Sequence, residues 1–324
     1  MRSTIVIPTI REDYATKWWE AWKDQLKDQR VIMVIDKPKE EAFSLPGVET
    51  YHHGDIDTQL DDDSWAICRR TSAIRNFGTL KALEQPTDMI WHLDDDCMPS
   101  AEERYPYLDS HWANLYDYEV YKSWFSTDES GNHLRGMPYG ESYRPVQCVV
   151  SHGTWLLNPD YDAPHQLANR FEFKPFVGVI PLGSYFTMCG MNLAFKPEVA
   201  TAMYFAPSGG QHPYDRFDDI WMGIIAKRVF DHLRLYCYSG YPQVIHDRAS
   251  DPFKNLIKEA PGIEANEGFW QYIDELSVTG QTVEGCMEEV ATQMVLNPYR
   301  DEDYFRHYGQ SLQTWLKLLQ HVRQ

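Results

Sequence analysis

The stretch Met89-Ile90-Trp91-His92-Leu93-Asp94-Asp95-Asp96 decides the fold. A largely apolar run passes without a break into three carboxylates, and Cys97-Met98-Pro99 closes the segment. A short run of this kind, bounded by turn residues, reads as a buried strand. A strand ending in carboxylates sets them at the carboxyl edge of a sheet, and open α/β sheets bind ligands in the crevice beyond that edge. Three adjacent negative charges repel one another unless a cation lies among them. Magnesium and manganese are held by one or two such carboxylates together with substrate phosphates.

The flanking sequence supplies the rest of the sheet. Ser3 to Pro8 reads as a first strand, Tyr14 to Gln29 as a helix with Trp18, Trp19, Trp22 and Leu26 at helical spacing, and Arg30 to Ile35 as a second strand. That is a βαβ unit. A third strand is expected over Val48 to His52, an acidic loop over Asp55 to Asp63, and a helix over Ile67 to Leu83 leading into the aspartate strand. Alternating strands and helices predict a mostly parallel, Rossmann-like α/β sheet flanked by helices. Further on, the pattern predicts a hairpin turn over Ser126 to His133 and a strand over Val146 to Val150. A short helix is expected over Pro197 to Tyr204, a longer one over Asp218 to Phe230, and last strands over Leu233 to Tyr238 and Gln243 to Ile245. From Pro252 onward the sequence turns helical, closing on an amphipathic helix from Trp315 to Val322. The expected division is a catalytic domain over 1–257 and a helical extension over 258–324 that packs on it.

Composition narrows the partners. The chain has 324 residues and a formal net charge of -18, which argues against nucleic acid, whose phosphates need a basic surface. No run of about 18 apolar residues is present, so no membrane span is expected. Six cysteines without paired spacing read as reduced core thiols of a cytoplasmic protein.

Several side chains then stand out. Asp36, at the end of the second strand, can accept hydrogen bonds from a uracil imide or a ribose hydroxyl, or can simply start a turn. Arg69, Arg70 and Arg75 fall on the expected helix before the aspartates, and Arg75 is the one favoured to point a fixed guanidinium fork at a diphosphate. Asp218 and Asp219 open a helix, where carboxylates are favoured by the unpaired N–H groups, and where one of them could equally serve as a general base. His246 ends a strand, as a structural group or as a further metal ligand.

Taken in order, these segments resemble the reversibly glycosylated polypeptides, the UDP-arabinopyranose mutases of plants, a family with the glycosyltransferase-A fold. The resemblance rests on Ile5-Val6-Ile7-Pro8-Thr9, Leu93-Asp94-Asp95-Asp96-Cys97, Arg135-Gly136-Met137-Pro138, Val150-Ser151-His152-Gly153-Thr154-Trp155 and Pro159-Asp160-Tyr161-Asp162-Ala163-Pro164. Met188-Cys189-Gly190-Met191-Asn192-Leu193-Ala194-Phe195, Arg216-Phe217-Asp218-Asp219-Ile220-Trp221 and His246-Asp247-Arg248-Ala249-Ser250 complete it, across roughly residues 3 to 257. It implies a UDP-sugar as substrate and Mn2+ or Mg2+ as cofactor, held by Asp94, Asp96 and His246. Nucleotide contacts are implied for Pro8, Arg11, Asp36, Arg75, Asp94 and Asp95, and sugar contacts for Trp155 and Asn192. Arg144 is implied by position as the arginine that becomes glycosylated. A charged guanidinium is a poor nucleophile, so either a carboxylate such as Asp218, Asp219 or Glu141, which the sequence does not place, activates it or Arg144 only neutralises diphosphate. Arg144 precedes Pro145, where plant members carry Glu-Gly. The implied activity is interconversion of UDP-arabinopyranose and UDP-arabinofuranose. A transferase acting on a separate acceptor and a non-catalytic nucleotide-sugar-binding subunit are the alternatives. The segment beyond about Pro261 shows no match by eye and is expected to be helical, with homo-oligomer contact as one use.

Overall fold

The computed structural model describes residues 1–101, 106–124, 130, 134–138, 143–168, 173–210, 212–247 and 251–322. The chain begins with β1 (Ser3–Thr9), α1 (Glu12–Leu26), β2 (Arg30–Ile35), β3 (Glu49–Tyr51), α2 (His53–Leu60) and α3 (Arg75–Leu83). It continues through β4 (Met89–Leu93), β5 (Cys97–Met98), α4 (Tyr107–Tyr116), β6 (Glu119–Lys122), β7 (Tyr143–Val146), β8 (Cys148–Leu157), α5 (Ala163–Ala168) and β9 (Gly178–Val179). Then come β10 (Asn192–Phe195), α6 (Asp218–Leu233) and β11 (Tyr236–His246), followed by the closing helices α7 (Pro252–Glu275), α8 (Val283–Leu296) and α9 (Asp303–Val322).

The main sheet runs β3-β2-β1-β4-β10-β8-β11-β5, with β9 also paired to β11. β1 is parallel to both β2 and β4, and every residue of β1 is buried, as expected for a central strand covered on both faces. β10 runs antiparallel between β4 and β8, so the sheet is mixed and largely parallel. On one face α1 packs Trp18 and Trp22 against Trp91 and Tyr107. The other face belongs to a larger core that joins Val6, Phe77 and Phe195 to Trp221, Met287, Phe305 and Trp315. The closing helices are thus built into the same core as the sheet. The division expected after residue 257 falls inside α7.

Several boundaries differ from the sequence pattern, each for a local reason. The acidic segment expected as a loop forms α2, because the Asp55 carboxylate accepts the His52 N–H at 2.8 Å in a capping box and Ile56 is buried beneath it. The helix expected from Ile67 starts only at Arg75, after a 3-10 turn over Ser72–Ile74. Arg70 takes a left-handed backbone, φ 62°, which a helix cannot continue through. The segment from Pro197 is a 3-10 helix over Pro197–Ala202. The strand expected over 146–150 is divided between β7 and β8. The last two strand candidates are one strand, β11, with a register shift between Gly240 and Gln243, and Leu233 belongs to α6. β6 and β7 bracket the expected turn over 126–133, which lies outside the described residues apart from Ser130, as do Glu141 and Arg248-Ala249-Ser250.

All six cysteines are buried and unpaired. Among the described residues no helix is long and apolar enough to cross a membrane.

Candidate active site

Parallel pairing of β2, β1 and β4 aligns their carboxyl ends, so Asp36, Thr9 and the three aspartates meet along one edge. They line a cleft of ≈ 780 Å³ that also takes in Pro8, Arg11 and Arg70. This is the place where an open α/β sheet holds ligands.

The three aspartates have different fates. Asp95 is 4% exposed and turns inward, where Thr9 Oγ1 donates to it at 2.6 Å and the Arg11 guanidinium pairs with it. Arg11 also lies over the Tyr14 ring, 3.9 Å from its centroid. Asp94 is held by Arg75, which is 1% exposed, donates to the Gly190 carbonyl at 2.6 Å and pairs with Asp94. Arg75 is therefore the first residue of α3 and faces the interior, not the ligand. The diphosphate contact expected of it is replaced by the positioning of Asp94. Asp96 has weaker company, with Arg11 at 3.7 Å and His246 Nε2 at 3.9 Å. Burial, and then the charge on Asp94, push the Asp96 carboxyl up to about 6.

His246 reaches Asp96 across some 150 residues of sequence because β5 pairs antiparallel with β11, setting His246 opposite Cys97. Its Nδ1–H donates to the Asn158 carbonyl at 2.7 Å, since a carbonyl can only accept. That bond fixes the ring and leaves Nε2 aimed at Asp96, the orientation that second-shell contacts give to metal-binding histidines. By donor chemistry two carboxylates and one imidazole, with Asp96 under-compensated, suit a divalent cation such as manganese or magnesium, although Asp94 is turned to Arg75 and the three side chains do not bring their ligand atoms within 4.8 Å of one another.

Asp36 is 7% exposed at the cleft wall, and each of its oxygens already accepts one bond: from His53 Nε2 at 2.7 Å and from the Thr71 N–H at 2.9 Å. Nothing in the sequence pattern singled out His53.

The start of α6 divides the two further aspartates. Asp218 is 3% exposed and accepts from Ser72 Oγ at 2.6 Å. Asp219 stays partly open and accepts the Gly190 N–H at 2.9 Å. Gly190 thus ties Asp219 through its N–H and Arg75 through its carbonyl. Asp160, Cys189 and Asp219 bring ligand-type atoms within 4.8 Å of one another. Burial pushes the Cys189 thiol well up, so it stays a neutral thiol and offers little to a hard cation. Asp160 appeared in the sequence only as part of a motif.

Burial, and then the neighbouring Asp219, raise Asp218 to about 7; burial, and then Asp160, raise Asp219 to about 6. A carboxyl whose folded pKa exceeds its unfolded value of about 3.9 holds its proton longer when folded, so its ionisation costs stability as pH rises from about 4 to about 7. The Asp218→Asn protein is therefore expected to gain stability relative to the parent as pH rises, reaching about 1–3 kcal/mol near pH 8 and vanishing near pH 4. Thermal melts of both proteins across that range measure it; a constant difference in melting temperature excludes the effect.

Arg75, His246, Asp218 and Asp219 are not among the residues that line the cleft, and three further expected residues have other partners. Asn192 is 0% exposed; its amide donates to Pro242 O at 2.9 Å and its carbonyl accepts from Trp91 Nε1 and His111 Nε2, both at 3.0 Å. It knits strands together beneath the site and has no exposed face for a sugar. Gly153 belongs to the same knot, for a Cβ there would meet Asn192 Nδ2 at 2.1 Å. Trp155 is 5% exposed, packed against His152 and Phe173. Arg144 lies on β7, donates to the Tyr236 hydroxyl at 2.6 Å and sits over the Tyr121 ring. Tyr236 begins β11 and His246 ends it, so Arg144 and the carboxylates are at opposite ends of a strand roughly 30 Å long. Asp218 and Asp219, candidate activators of Arg144 that the sequence does not place, are not among its contacts in the described residues.

A mixed, largely parallel sheet with a carboxylate cluster closing its central parallel strand, beside an aspartate-walled cleft and under C-terminal helices, defines an α/β protein of the glycosyltransferase-A type. The family model for reversibly glycosylated polypeptides matches residues 2–324, so the resemblance extends through the closing helices. The chain belongs to that family. It is 33% identical to UDP-arabinopyranose mutase 1 of Arabidopsis thaliana, over 97% of this chain and 90% of that protein. It is 34% identical to probable UDP-arabinopyranose mutase 1 of Pisum sativum, over 97% and 89%. UDP-arabinopyranose mutase 1 of Oryza sativa subsp. japonica is 32% identical, also over 97% and 89%.

Proposed function

We propose that this protein is a UDP-arabinopyranose mutase that uses a divalent cation. The observation carrying the proposal is similarity across 97% of the chain to relatives bearing that name, and the cleft lined by Asp36, Asp94 and Asp96, with His246 3.9 Å from Asp96, supports it.

Asp94, Asp96 and His246 would hold manganese or magnesium. Such an ion offsets the charge that develops on a departing diphosphate. The chain's own groups prepare for this: Arg75 fixes Asp94, Arg11 neutralises Asp95, and the Asn158 carbonyl aims His246. The reaction needs the anomeric C1–O bond to UDP to break and C1 to exchange one ring oxygen for another. As the 4-hydroxyl oxygen bonds C1 it loses a proton, and as the former ring oxygen leaves C1 it gains one; UDP then returns to C1. The net proton change is zero, so one carboxyl that accepts and then donates is sufficient. Asp219 takes that part: it is the partly open member of its pair, and its raised pKa suits proton transfer near neutral pH.

Glycosylation of Arg144, at the far end of β11, is proposed to occur between two copies of the chain and to lie outside this cycle. Incubation with UDP-arabinopyranose and Mn2+, with nucleotide sugars resolved by chromatography, is expected to yield the furanose form; UDP release without it favours a transferase. Mass spectrometry of the same reactions at two protein concentrations should show arginine labelling rising per molecule with concentration, and equal labelling excludes the intermolecular route.

A further inference from the structure

The cations of the cleft are unequally committed. Arg11 is paired with Asp95 and, beside the cleft, Arg75 with Asp94, while Lys37 lines the cleft on an ordinary backbone. Arg69, next in sequence to the cleft wall, faces α2 and pairs with Asp57. Arg70 lines the cleft, is exposed, and among the described residues makes no hydrogen bond or ion pair.

Its backbone is unusual as well. Arg70 sits at φ 62°, in the left-handed region that disfavours a side chain, and such a residue persists only where its surroundings over-determine it. Here they do. The next residue is fixed from two sides, Thr71 N–H donating to Asp36 at 2.9 Å and Thr71 Oγ1 meeting Ser208 Oγ at 2.5 Å. Behind it Gly209, φ 63°, comes so close that a Cβ would lie 3.2 Å from the Arg70 carbonyl oxygen. A position with this backbone suits glycine or asparagine. An arginine there carries a strain that no hydrogen bond or ion pair among the described residues offsets, on the wall of a cleft that Asp36 and the three aspartates also line.

We infer that Arg70 is a diphosphate-binding residue of the nucleotide site, presenting a free guanidinium fork to the ligand from a strained loop braced by Asp36, Ser208 and Gly209. The inference rests on the UDP-sugar reading above and deepens it: two arginines hold the aspartates, and a third meets the ligand's own charge. A planar fork matches two phosphate oxygens at once.

The test compares uridine, UMP and UDP by calorimetry in the presence of Mn2+. For Arg70→Asn, UDP affinity is expected to fall roughly 10- to 100-fold and uridine affinity to stay within about twofold, with UMP between them. Because Asn tolerates the left-handed backbone, the melting temperature should not fall. Arg70→Lys, which keeps the charge without the fork, should recover part of the loss and provides the measurement should the Asn protein fail to fold. UDP affinity unchanged in Arg70→Asn overturns the inference, as does an equal loss for uridine and UDP. Failure of the parent protein to bind UDP at all removes both the inference and the function proposed above, whereas unchanged binding in the variant removes the inference alone.

Discussion

Asp96→Asn is expected to abolish the cation dependence of UDP binding and to slow interconversion of the arabinose forms by roughly 10²–10³-fold. The geometry separates this residue from its two neighbours. Asp94 is neutralised by a buried arginine and Asp95 by Arg11 and Thr9, but Asp96 has only distant partners, at 3.7 Å and 3.9 Å. It is therefore the carboxylate with most to gain from a cation. Its pKa of about 6 also means that protons compete with the metal: affinity should be near its limit above pH 7 and weaken as pH falls through 6. Asparagine keeps the shape and removes the charge, so the fold should survive. Calorimetric titration of UDP with and without Mn2+, from pH 5 to pH 8, measures the effect. If the variant binds UDP with the parent's cation dependence, Asp96 is not a ligand.

The same triplet shows how far sequence reaches into this site. An apolar strand that ends in carboxylates is a local pattern, and β4 with its aspartates is where the pattern places it. The roles of Asp94, Asp95 and Asp96 are not local. They are set by Arg75 from α3, Arg11 after β1 and His246 at the end of β11, and the sequence does not state which arginine turns inward. Arg75 reads as a surface fork because helix periodicity extends back to Ile67. The left-handed turn at Arg70 delays the helix start until Arg75, and the same turn leaves Arg70 exposed in the cleft. Asn192 and Trp155 were expected at the sugar because their segments are distinctive. The structure gives them packing roles instead: a Cβ at Gly153 would collide with Asn192 and Pro242, and Trp155 packs on His152 and Phe173. The sequence names Asp218 and Asp219 as candidate activators of Arg144 but does not place them. Order along the chain carries no information about which end of a strand a residue occupies, and the register of β8 against β11 sets Arg144 at the far end.

Asp219→Asn should lower interconversion by roughly 10²–10⁴-fold while leaving metal-dependent UDP affinity within a few fold. The pair at the start of α6 invites treatment as equivalent acids, but burial divides them. Asp218 spends its carboxyl on Ser72 inside the protein, and Asp219 remains partly open, oriented by the Gly190 N–H. An amide at 219 can still accept the Gly190 N–H through its oxygen, giving up only the Ile220 N–H that the other carboxylate oxygen takes, so Gly190 and, through its carbonyl, Arg75 and Asp94 keep their positions. What the amide cannot do is exchange a proton between the 4-hydroxyl and the ring oxygen. The loss should therefore fall on kcat with little change in KM, the pattern of an interaction made only in the transition state. The pH profile offers a second readout. If Asp219 must be ionised to accept the proton first, the parent's kcat should rise through about pH 6, and that limb should disappear from the variant's residual rate. Unequal effects would also distinguish the two acids, since Asp218→Asn should retain more of the rate than Asp219→Asn. Equal losses in both, or a parent-like rate in Asp219→Asn with the pH limb intact, would move the proton transfer to another group, and Asp160, whose carboxylate lies within 4.8 Å of that of Asp219, would be the next to replace.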